Sequence, residues 1–218
     1  MIRRFFGVIL VLCAGASAAS AHPHVWADIR TSIMTNPEGL ITGIRMEWTF
    51  DEGYTTFALD GLDTNGDGTY GPDEIKPLTD ENIANLAESD YFGFMRQNEK
   101  LLKHGKVTDY TQIYENNRLT LAFVFPLETP VDPRKGVFDY KVYDPDYFID
   151  FGYVKDDPVE LEGTLPAGCS WELKPMMTDE ELEAKRNFLA QQPVDWVNQT
   201  GEDFGSLFAR PVVVTCKS

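Results

Sequence analysis

The sequence contains few cysteines, few histidines and few basic side chains. Three cysteines and three histidines occur in 218 residues, and lysine and arginine number 19 against 35 aspartates and glutamates. The formal net charge is therefore −16 at neutral pH. Such an acidic chain is a poor partner for nucleic acid or for an anionic membrane surface, and a good partner for cations.

Motifs of several catalytic classes are also missing. The sequence has no His-Glu-x-x-His pattern, no paired serine and histidine, and no cysteine in a setting that favours reactivity. After the N-terminal region, no segment approaches the ~20 consecutive apolar residues that a membrane-spanning helix requires. We therefore expect a soluble mature protein that is not an enzyme.

The first 21 residues have the pattern of a secretory signal peptide. A basic start with Arg3 and Arg4 precedes an apolar run from Phe5 to Ala14, and two Ala-Ser-Ala triplets follow at 16–18 and 19–21. Cleavage after Ala21 would leave a mature chain of 22–218, and cleavage after Ala18 fits the small-residue rule equally well. Loss of Arg3 and Arg4 brings the net charge from −16 to −18. We expect a protein that is exported from the cytosol.

Two cysteines remain after signal cleavage, Cys169 and Cys216. An even pair in an exported chain predicts one disulfide. The loop that it closes is long enough to contribute ~4 kcal/mol to stability by chain entropy.

The most specific motif is a 12-residue stretch from Asp63 to Glu74, which matches the calcium loop of an EF-hand. Gly68 permits the sharp bend at loop position six. The predicted ligands fall at positions one, three, five, seven and twelve, the seventh through its backbone carbonyl: Asp63, Asn65, Asp67, Thr69 and Glu74. The sequence has no second loop of this kind, and Pro77 is expected to interrupt the helix that leaves the loop. Both features favour a structural calcium site over a regulatory switch.

Hydrophobic periodicity predicts an α+β fold in which an antiparallel sheet or sandwich carries an inserted helical segment with the calcium loop. We divide one mature domain into a hairpin at 22–50, a helical segment at 51–97, a β-rich part at 98–175, and a C-terminal helix and strand at 176–218. Helices are predicted at 52–62, 80–96 and 178–191. Antiparallel strands are predicted at 108–114, 119–125, 137–143, 147–154 and 210–216.

The N-terminal hairpin places its polar residues on one face. If Thr35 pairs with Leu40, Arg30 lies opposite Arg45, and Asp28 lies opposite Glu47. The same register places His24 opposite Asp51. Like charges that face each other directly are unfavourable, so this register suggests a bound cation or a diagonal lattice of arginines and carboxylates.

These residues form a hypothetical second metal site. Cleavage after Ala21 would make His22 the N-terminus, where its amino group, its imidazole and the imidazole of His24 could form a nitrogen site suited to zinc or copper. Candidate oxygen ligands or supporting partners are Asp28, Glu47 and Asp51. The alternative is a solvated hairpin face with a frayed terminus. The third histidine, His104, lies in a lysine-rich segment and is expected at the surface rather than in a site.

Four segments resemble a bacterial family of periplasmic proteins that is known as a domain of unknown function and as an uncharacterised transport component, and that includes ZevA-type zinc-binding proteins. The similar segments are His22-Pro23-His24-Val25-Trp26, Trp48-Thr49-Phe50-Asp51-Glu52, the loop 63–74, and Asp90-Tyr91-Phe92. The resemblance implies a periplasmic protein that works with a NicO-like inner-membrane permease in the uptake of zinc or a related transition metal.

The sequence thus leaves three hypotheses. The leading one is a transport component that captures a transition metal at His22 and His24 while calcium braces the fold. The second is a copper-dependent extracytoplasmic enzyme of the histidine-brace kind, which depends on the terminal histidine alone. The third is a calcium-stabilised interaction module without a transition metal.

Overall fold

The structure is a computed structural model, and it describes residues 23–176, 180–193, 196, 198–199 and 203–217. The predicted signal peptide at 1–21, the predicted ligand His22 and the predicted start of the last helix at 178 and 179 lie outside these residues. The fold is α+β, as the sequence predicts.

Within the described ranges the chain forms eleven strands, four α-helices and two short 3-10 helices. The strands are β1 (Val25–Thr35), β2 (Ile41–Phe50), β3 (Gly93–Gln97), β4 (Lys100–Leu101), β5 (Tyr110–Glu115), β6 (Arg118–Val131), β7 (Phe138–Val142), β8 (Ile149–Tyr153), β9 (Val159–Glu162), β10 (Cys169–Leu173) and β11 (Val212–Cys216). The helices are α1 (Glu52–Ala58), α2 (Pro72–Leu86), α3 (Glu180–Ala190), α4 (Phe204–Phe208), and the 3-10 helices Ala87–Phe92 and Pro133–Lys135.

The first sheet is built around the hairpin of β1 and β2. Its strand order is β5-β6-β2-β1-β8, and β9 pairs with β1 beyond the end of β8. Val25, Ala27 and Ile29 of β1 are buried, whereas Trp26, Asp28 and Arg30 are exposed. The predicted alternation is therefore confirmed, because successive side chains of a strand point to opposite faces.

The predicted register of this hairpin is wrong by two residues. Arg30 lies opposite Glu47 rather than Arg45, and Asp28 lies opposite Thr49. One residue of this shift arises because Thr35 pairs with Ile41 rather than Leu40, and the other arises from an irregularity between Met34 and Thr35. A shift of two residues keeps the same faces together, and it replaces the predicted like-charge pairs with an Arg30–Glu47 pair at 3.7 Å.

The expectation of purely antiparallel strands is also wrong. Strands β8 and β9 both pair with β1 in parallel. Parallel pairing needs a crossover connection. The strand order of the second sheet is β10-β11-β7-β3-β4. The chain passes through β7 of this sheet directly before it returns to the first sheet as β8.

Buried side chains from both sheets share one hydrophobic cluster. Trp48, Phe123 and Phe125 come from the first sheet, and Phe138 and Tyr140 come from the second. A buried hydrogen bond of 2.6 Å joins Thr31 Oγ1 on β1 to Tyr140 Oη on β7. This contact links the two sheets inside the core.

Helices α1 and α2 flank the segment predicted to bind calcium. Helix α1 ends at Ala58 rather than at the predicted residue 62, and Phe57 in its last turn is 81% exposed. Pro77 does not interrupt the second helix, which runs from Pro72 to Leu86. Because Pro77 is exposed and lies in the second turn, its missing N–H costs one hydrogen bond, to the carbonyl of Asp73 near the solvated helix start.

The predicted helix 80–96 ends early. Asp90, Tyr91 and Phe92 have φ values of 49°, 52° and 50°, in the left-handed region that ends a right-handed helix. The chain then extends as β3, whose first residue, Gly93, lies against the first sheet. A Cβ atom at Gly93 would stand 2.7 Å from Phe125 and 2.8 Å from Met46, so the close approach requires glycine.

The C-terminal elements form a second, smaller cluster, and the disulfide joins the last two strands. Tyr147, Leu182, Leu189, Phe204 and Phe208 are buried together. Strands β10 and β11 are antiparallel, and the predicted Cys169–Cys216 disulfide joins directly opposite residues, 47 apart in sequence. The predicted disulfide is confirmed.

Candidate calcium loop and the N-terminal polar face

The loop 63–74 connects α1 to α2, and its glycines permit its curvature. Gly66 and Gly68 have φ values of 72° and 77°, a conformation that costs glycine little and other residues more. No atom lies within 4 Å of a Cβ placed at either position. The backbone conformation, rather than crowding, therefore favours glycine here.

Asp63 is the hub of the loop. Its Oδ1 accepts hydrogen bonds from the N–H groups of Gly66 at 2.8 Å and Asp67 at 3.2 Å, and its Oδ2 accepts from Gly68 at 3.0 Å. Asn65 Oδ1 accepts from the Asp67 N–H at 2.8 Å. The residues predicted as calcium ligands at loop positions one, three and five are therefore linked through the N–H group of Asp67.

Glu74, in the first turn of α2, binds the two ends of the loop. Its Oε1 accepts from the N–H and the hydroxyl of Thr64, each at 2.9 Å, and its Oε2 accepts from the Gly71 N–H at 3.0 Å. The bond from Gly71 also caps α2, because the N–H of Gly71 has no partner within the helix. The carboxylate at position twelve thus lies beside the start of the loop.

These hydrogen bonds keep the loop acidic. Hydrogen bonds from the hydroxyl and N–H of Thr69 lower the pKa of Asp67. Hydrogen bonds from the N–H of Gly71 and the hydroxyl of Thr64 lower the pKa of Glu74. Donors that stabilise the ionised form have this effect, so both side chains are anionic at neutral pH.

The donor set fits calcium in type and order. Calcium takes six to eight oxygen ligands, and a carboxylate that accepts an N–H bond has further lone pairs for a cation. Across residues 23–176, 180–193, 196, 198–199 and 203–217, no three His, Cys, Asp or Glu side chains are placed to hold a metal ion. Binding by Asp63, Asp67 and Glu74 would therefore require side-chain adjustment.

The three carboxylates predicted near the histidines lie on the exposed face but have separate partners. Asp28 forms an ion pair of 2.7 Å with Arg118, which also donates to the carbonyls of Thr49 and Phe50. Glu47 pairs with Arg30. The described structure therefore does not bring these carboxylates together around one point.

Asp51 begins α1. Its Oδ1 accepts from the Tyr54 N–H and its Oδ2 from the Trp26 N–H, each at 3.0 Å. It therefore caps a helix and fastens the start of β1, a role that its position before Glu52 also suits.

His24 lies just before β1. Its backbone N–H donates to the Phe148 carbonyl at 2.8 Å, and its ring lies 4.7 Å from the Phe148 ring. The sequence groups His24 with Asp51, whereas the structure places Asp51 opposite Trp26. His24 therefore lies at the edge of the polar face, beside an aromatic side chain of the segment before β8.

His104 is less exposed than the sequence predicts. Its side chain is 26% exposed, and its ring lies 4.9 Å from that of Phe125. Nε2 lies 3.1 Å from Asp90 Oδ1, and Nδ1 lies 2.9 Å from the Gly105 carbonyl. The lysines around His104 indicate a surface segment, and only the tertiary fold brings in Asp90.

The disulfide bears on the compartment. The Cys169–Cys216 disulfide is typical of extracytoplasmic proteins, because the cytosol keeps thiols reduced. Among the described residues, no helix is long and apolar enough to cross a membrane.

The fold and the loop define an acidic, disulfide-linked α+β protein with an exposed, EF-hand-like sequence. The chain belongs to the family described as "Protein of unknown function (DUF1007)", which matches residues 7–216. It is also similar to a protein of Spirochaeta aurantia described as "Uncharacterized 15.5 kDa protein in trpE 3'region". The two are 29% identical over 102 residues, which cover 47% of this chain and 72% of the relative. Neither description names an activity.

Proposed function

We propose that this protein is a non-catalytic, periplasmic metal-binding component of a transition-metal transport system, with calcium in the loop 63–74 as a structural brace. The metal carried is zinc or a related ion, and the membrane partner is a NicO-like permease, as the similarity to ZevA-type proteins implies. Calcium bound outside the cytosol remains in place, so the loop serves the fold rather than signalling.

One observation carries the calcium proposal. The carboxylate of Glu74, at loop position twelve, lies within hydrogen-bonding distance of Thr64, at loop position two. The loop is therefore closed between its second and twelfth positions. A divalent cation there would neutralise the charge that Asp63, Asp67 and Glu74 concentrate at an exposed site.

The transition-metal proposal depends on the histidines more than on the carboxylates. Asp28, Glu47 and Asp51 are each engaged in other contacts, and His22 and His24 are the proposed nitrogen donors. His24 lies just before β1, at the edge of the polar face. The net charge of −16 favours the capture of cations in general.

A metal inventory by native mass spectrometry tests both parts. The secreted wild-type protein is expected to start at His22 and to carry one calcium and, after exposure to zinc, one zinc. His22→Ala/His24→Ala should lose zinc and keep calcium, and Glu74→Gln should lose calcium and keep zinc. His104→Gln is the matched control for the loss of a histidine and should keep both ions.

Two results would redirect the proposal. Calcium without any transition metal, after challenge with zinc, copper and nickel, would leave a calcium-stabilised interaction module. Copper bound at His22 and His24 together with turnover in a redox assay would favour the histidine-brace enzyme.

A further inference from the structure

A cavity of about 250 Å³ lies between the first sheet and the helices that flank the loop. Its floor is formed by three buried side chains, Trp48, Phe50 and Leu121. Its walls are also apolar but half-buried, and they comprise Tyr54, Leu86, Phe92 and Ile149. Asn85 and Ser89 line it as well and are exposed. The cavity therefore opens to solvent beside the end of α2.

The chain around this cavity is strongly acidic. Eight of the ten residues that line the cavity belong to the segment 46–95, which contains 12 aspartates and glutamates and one basic residue, Lys76. The ammonium group of Lys76 lies 2.7 Å from the carboxylate of Asp80. The field at the cavity is therefore negative, and a basic partner is attracted to it.

Two of these carboxylates flank the mouth of the cavity. Glu81 lies four residues before Asn85, and Glu88 lies three residues after it. Leu86 and Ala87 keep helical φ and ψ angles where α2 continues into the 3-10 helix. Residues three or four apart on a helix are neighbours on its surface, and both glutamates are exposed. Their charges therefore lie beside Asn85, at the opening.

An exposed aromatic side chain extends the apolar surface beyond the mouth. Phe57 is 81% exposed and follows the lining residue Tyr54 by three positions on α1, so the two side chains are neighbours on the helix surface. A single exposed apolar side chain is ordinary in itself. Next to an open apolar cavity, it adds to the area that a partner can cover.

The charge and the volume together define the partner. An acidic surface repels nucleic acid, anionic lipid and a second copy of this chain, whose net charge is also −16. A protein cavity of about 150 Å³ holds benzene, so 250 Å³ accommodates one large apolar side chain. Complementary charge around such an anchor favours encounter and correct orientation.

We propose that this cavity is a docking site for a basic segment of a partner protein. One large apolar side chain of that segment enters the cavity, and lysines or arginines on either side of it lie against Glu81 and Glu88. This inference goes beyond the metal-binding function and does not depend on either proposed metal site.

The capped peptide Lys-Lys-Gly-Phe-Gly-Lys-Lys is a suitable probe of the secreted protein, with binding followed by NMR titration. Alanine in place of its phenylalanine removes the anchor and should weaken binding at least about tenfold, because a buried phenylalanine side chain contributes that much. Glutamates in place of its lysines should abolish saturable binding. Raising the salt from about 0.05 M to about 0.3 M should weaken the binding of the lysine peptide, because exposed charges are screened.

Two exposed positions test the cavity without disturbing the core. Ser89→Trp places a bulky side chain at the mouth and should weaken the lysine peptide at least about tenfold. Phe57→Ser removes the neighbouring apolar surface and should weaken it about threefold or more. Leu101→Ser is the matched control, because Leu101 is 56% exposed on β4 of the second sheet, and it should leave binding unchanged.

A pair of charge variants tests the role of the glutamates. Glu81→Gln/Glu88→Gln should weaken the lysine peptide about two- to fivefold, the size expected for two exposed ion pairs, and should reduce the effect of salt. The preference for phenylalanine over alanine should remain. Glu160→Gln/Glu172→Gln removes two exposed carboxylates from β9 and β10 and should leave the affinity nearly unchanged.

Four outcomes would overturn the proposal. Absence of saturable binding of the lysine peptide would exclude a docking site of this kind. Equal affinity for the phenylalanine and alanine peptides, or equal losses in the two charge variants, would mean that the acidic surface attracts any basic peptide. A dimer in sedimentation analysis that Ser89→Trp dissociates would instead make the cavity an interface between two copies of this chain.

Discussion

Glu74 and Thr64 are ten residues apart in sequence, and two hydrogen bonds of 2.9 Å join the Glu74 carboxylate to the N–H and hydroxyl of Thr64. This contact connects the first turn of α2 to the start of the loop. Helix α1 ends at Ala58, five residues before Asp63, so this contact ties α2 to the loop that follows α1. The loop is therefore attached to α2 by its own hydrogen bonds, in addition to being a candidate cation site.

Glu74→Gln should remove calcium-dependent stabilisation. Calcium at 100 times its dissociation constant would stabilise the folded protein by ~2.7 kcal/mol, which for a protein of this size raises Tm by about 5–10 °C. Scanning calorimetry with and without calcium measures this difference. The amide lacks the charge and the bidentate geometry, so the difference should fall close to zero.

Asp73→Asn is the matched control for this variant. Asp73 lies in the same loop, is exposed and precedes Glu74 directly, but it is not a predicted ligand. It should keep most of the calcium-dependent rise in Tm. An equal loss in both variants would mean that calcium acts only through net charge.

The same stabilisation should persist in mild acid. The pKa values of Asp67 and Glu74 lie below their ordinary values of 3.8 and 4.5. A carboxyl group with a lowered pKa stabilises the fold above its unfolded pKa and loses that contribution as the pH falls through its folded pKa. The calcium-dependent rise in Tm should be equal at about pH 7 and about pH 5, and should be lost only as the pH falls below the ordinary pKa values of 4.5 for Glu74 and 3.8 for Asp67. A loss already complete at about pH 6 would implicate histidine instead.

The difference between local and distant contacts explains what the sequence could predict. The loop was predictable because its donors lie within 12 consecutive residues whose spacing determines their arrangement. Asp28 pairs with Arg118, 90 residues away, and no local pattern indicates that partner. The carboxylates predicted beside the histidines, Asp28, Glu47 and Asp51, therefore make other contacts in the fold.

Strand positions were more predictable than strand pairing. Alternation identifies which side of β1 is buried, but it does not encode the neighbouring strand or its direction, and β8 and β9 prove to be parallel to β1. The hairpin register depends on an irregularity beside Thr35. Helix signals failed at Pro77 because the lost hydrogen bond falls near the solvated helix start. They failed at Asp90 because the chain turns there into β3, which packs against the first sheet.

Removing the disulfide should lower stability substantially. The Cys169–Cys216 bond closes a 47-residue separation that includes α3 and α4, so its loss should cost ~4 kcal/mol by chain entropy. Cys169→Ser/Cys216→Ser should therefore lower Tm by roughly 8–16 °C. Wild-type protein in reducing buffer should match the variant, and a wild-type Tm unaffected by complete reduction would contradict the prediction.

Tyr140→Phe tests the hydrogen bond between the two sheets. Thr31 and Tyr140 are both buried, and burial raises the pKa of Tyr140 well above its ordinary value and that of neighbouring Tyr153 to about 12. Deleting the Tyr140 hydroxyl leaves the Thr31 hydroxyl without this partner in the core. The expected cost is about 1–3 kcal/mol, which denaturant unfolding would measure as a lower midpoint with an unchanged slope.

Tyr110→Phe serves as the comparison. The Tyr110 hydroxyl donates to Asp80 at 3.1 Å in an exposed setting, where water replaces a lost partner, so the change should stay within about 0.5 kcal/mol. If Tyr140→Phe were as mild, the Thr31 hydroxyl would have found another partner, and the buried Tyr153 hydroxyl, which has no hydrogen-bond partner among the described residues, is a candidate. Thr31→Val combined with Tyr140→Phe would then separate the two explanations. Removing both hydroxyls should cost less than the sum of the single changes if they bond mainly to each other.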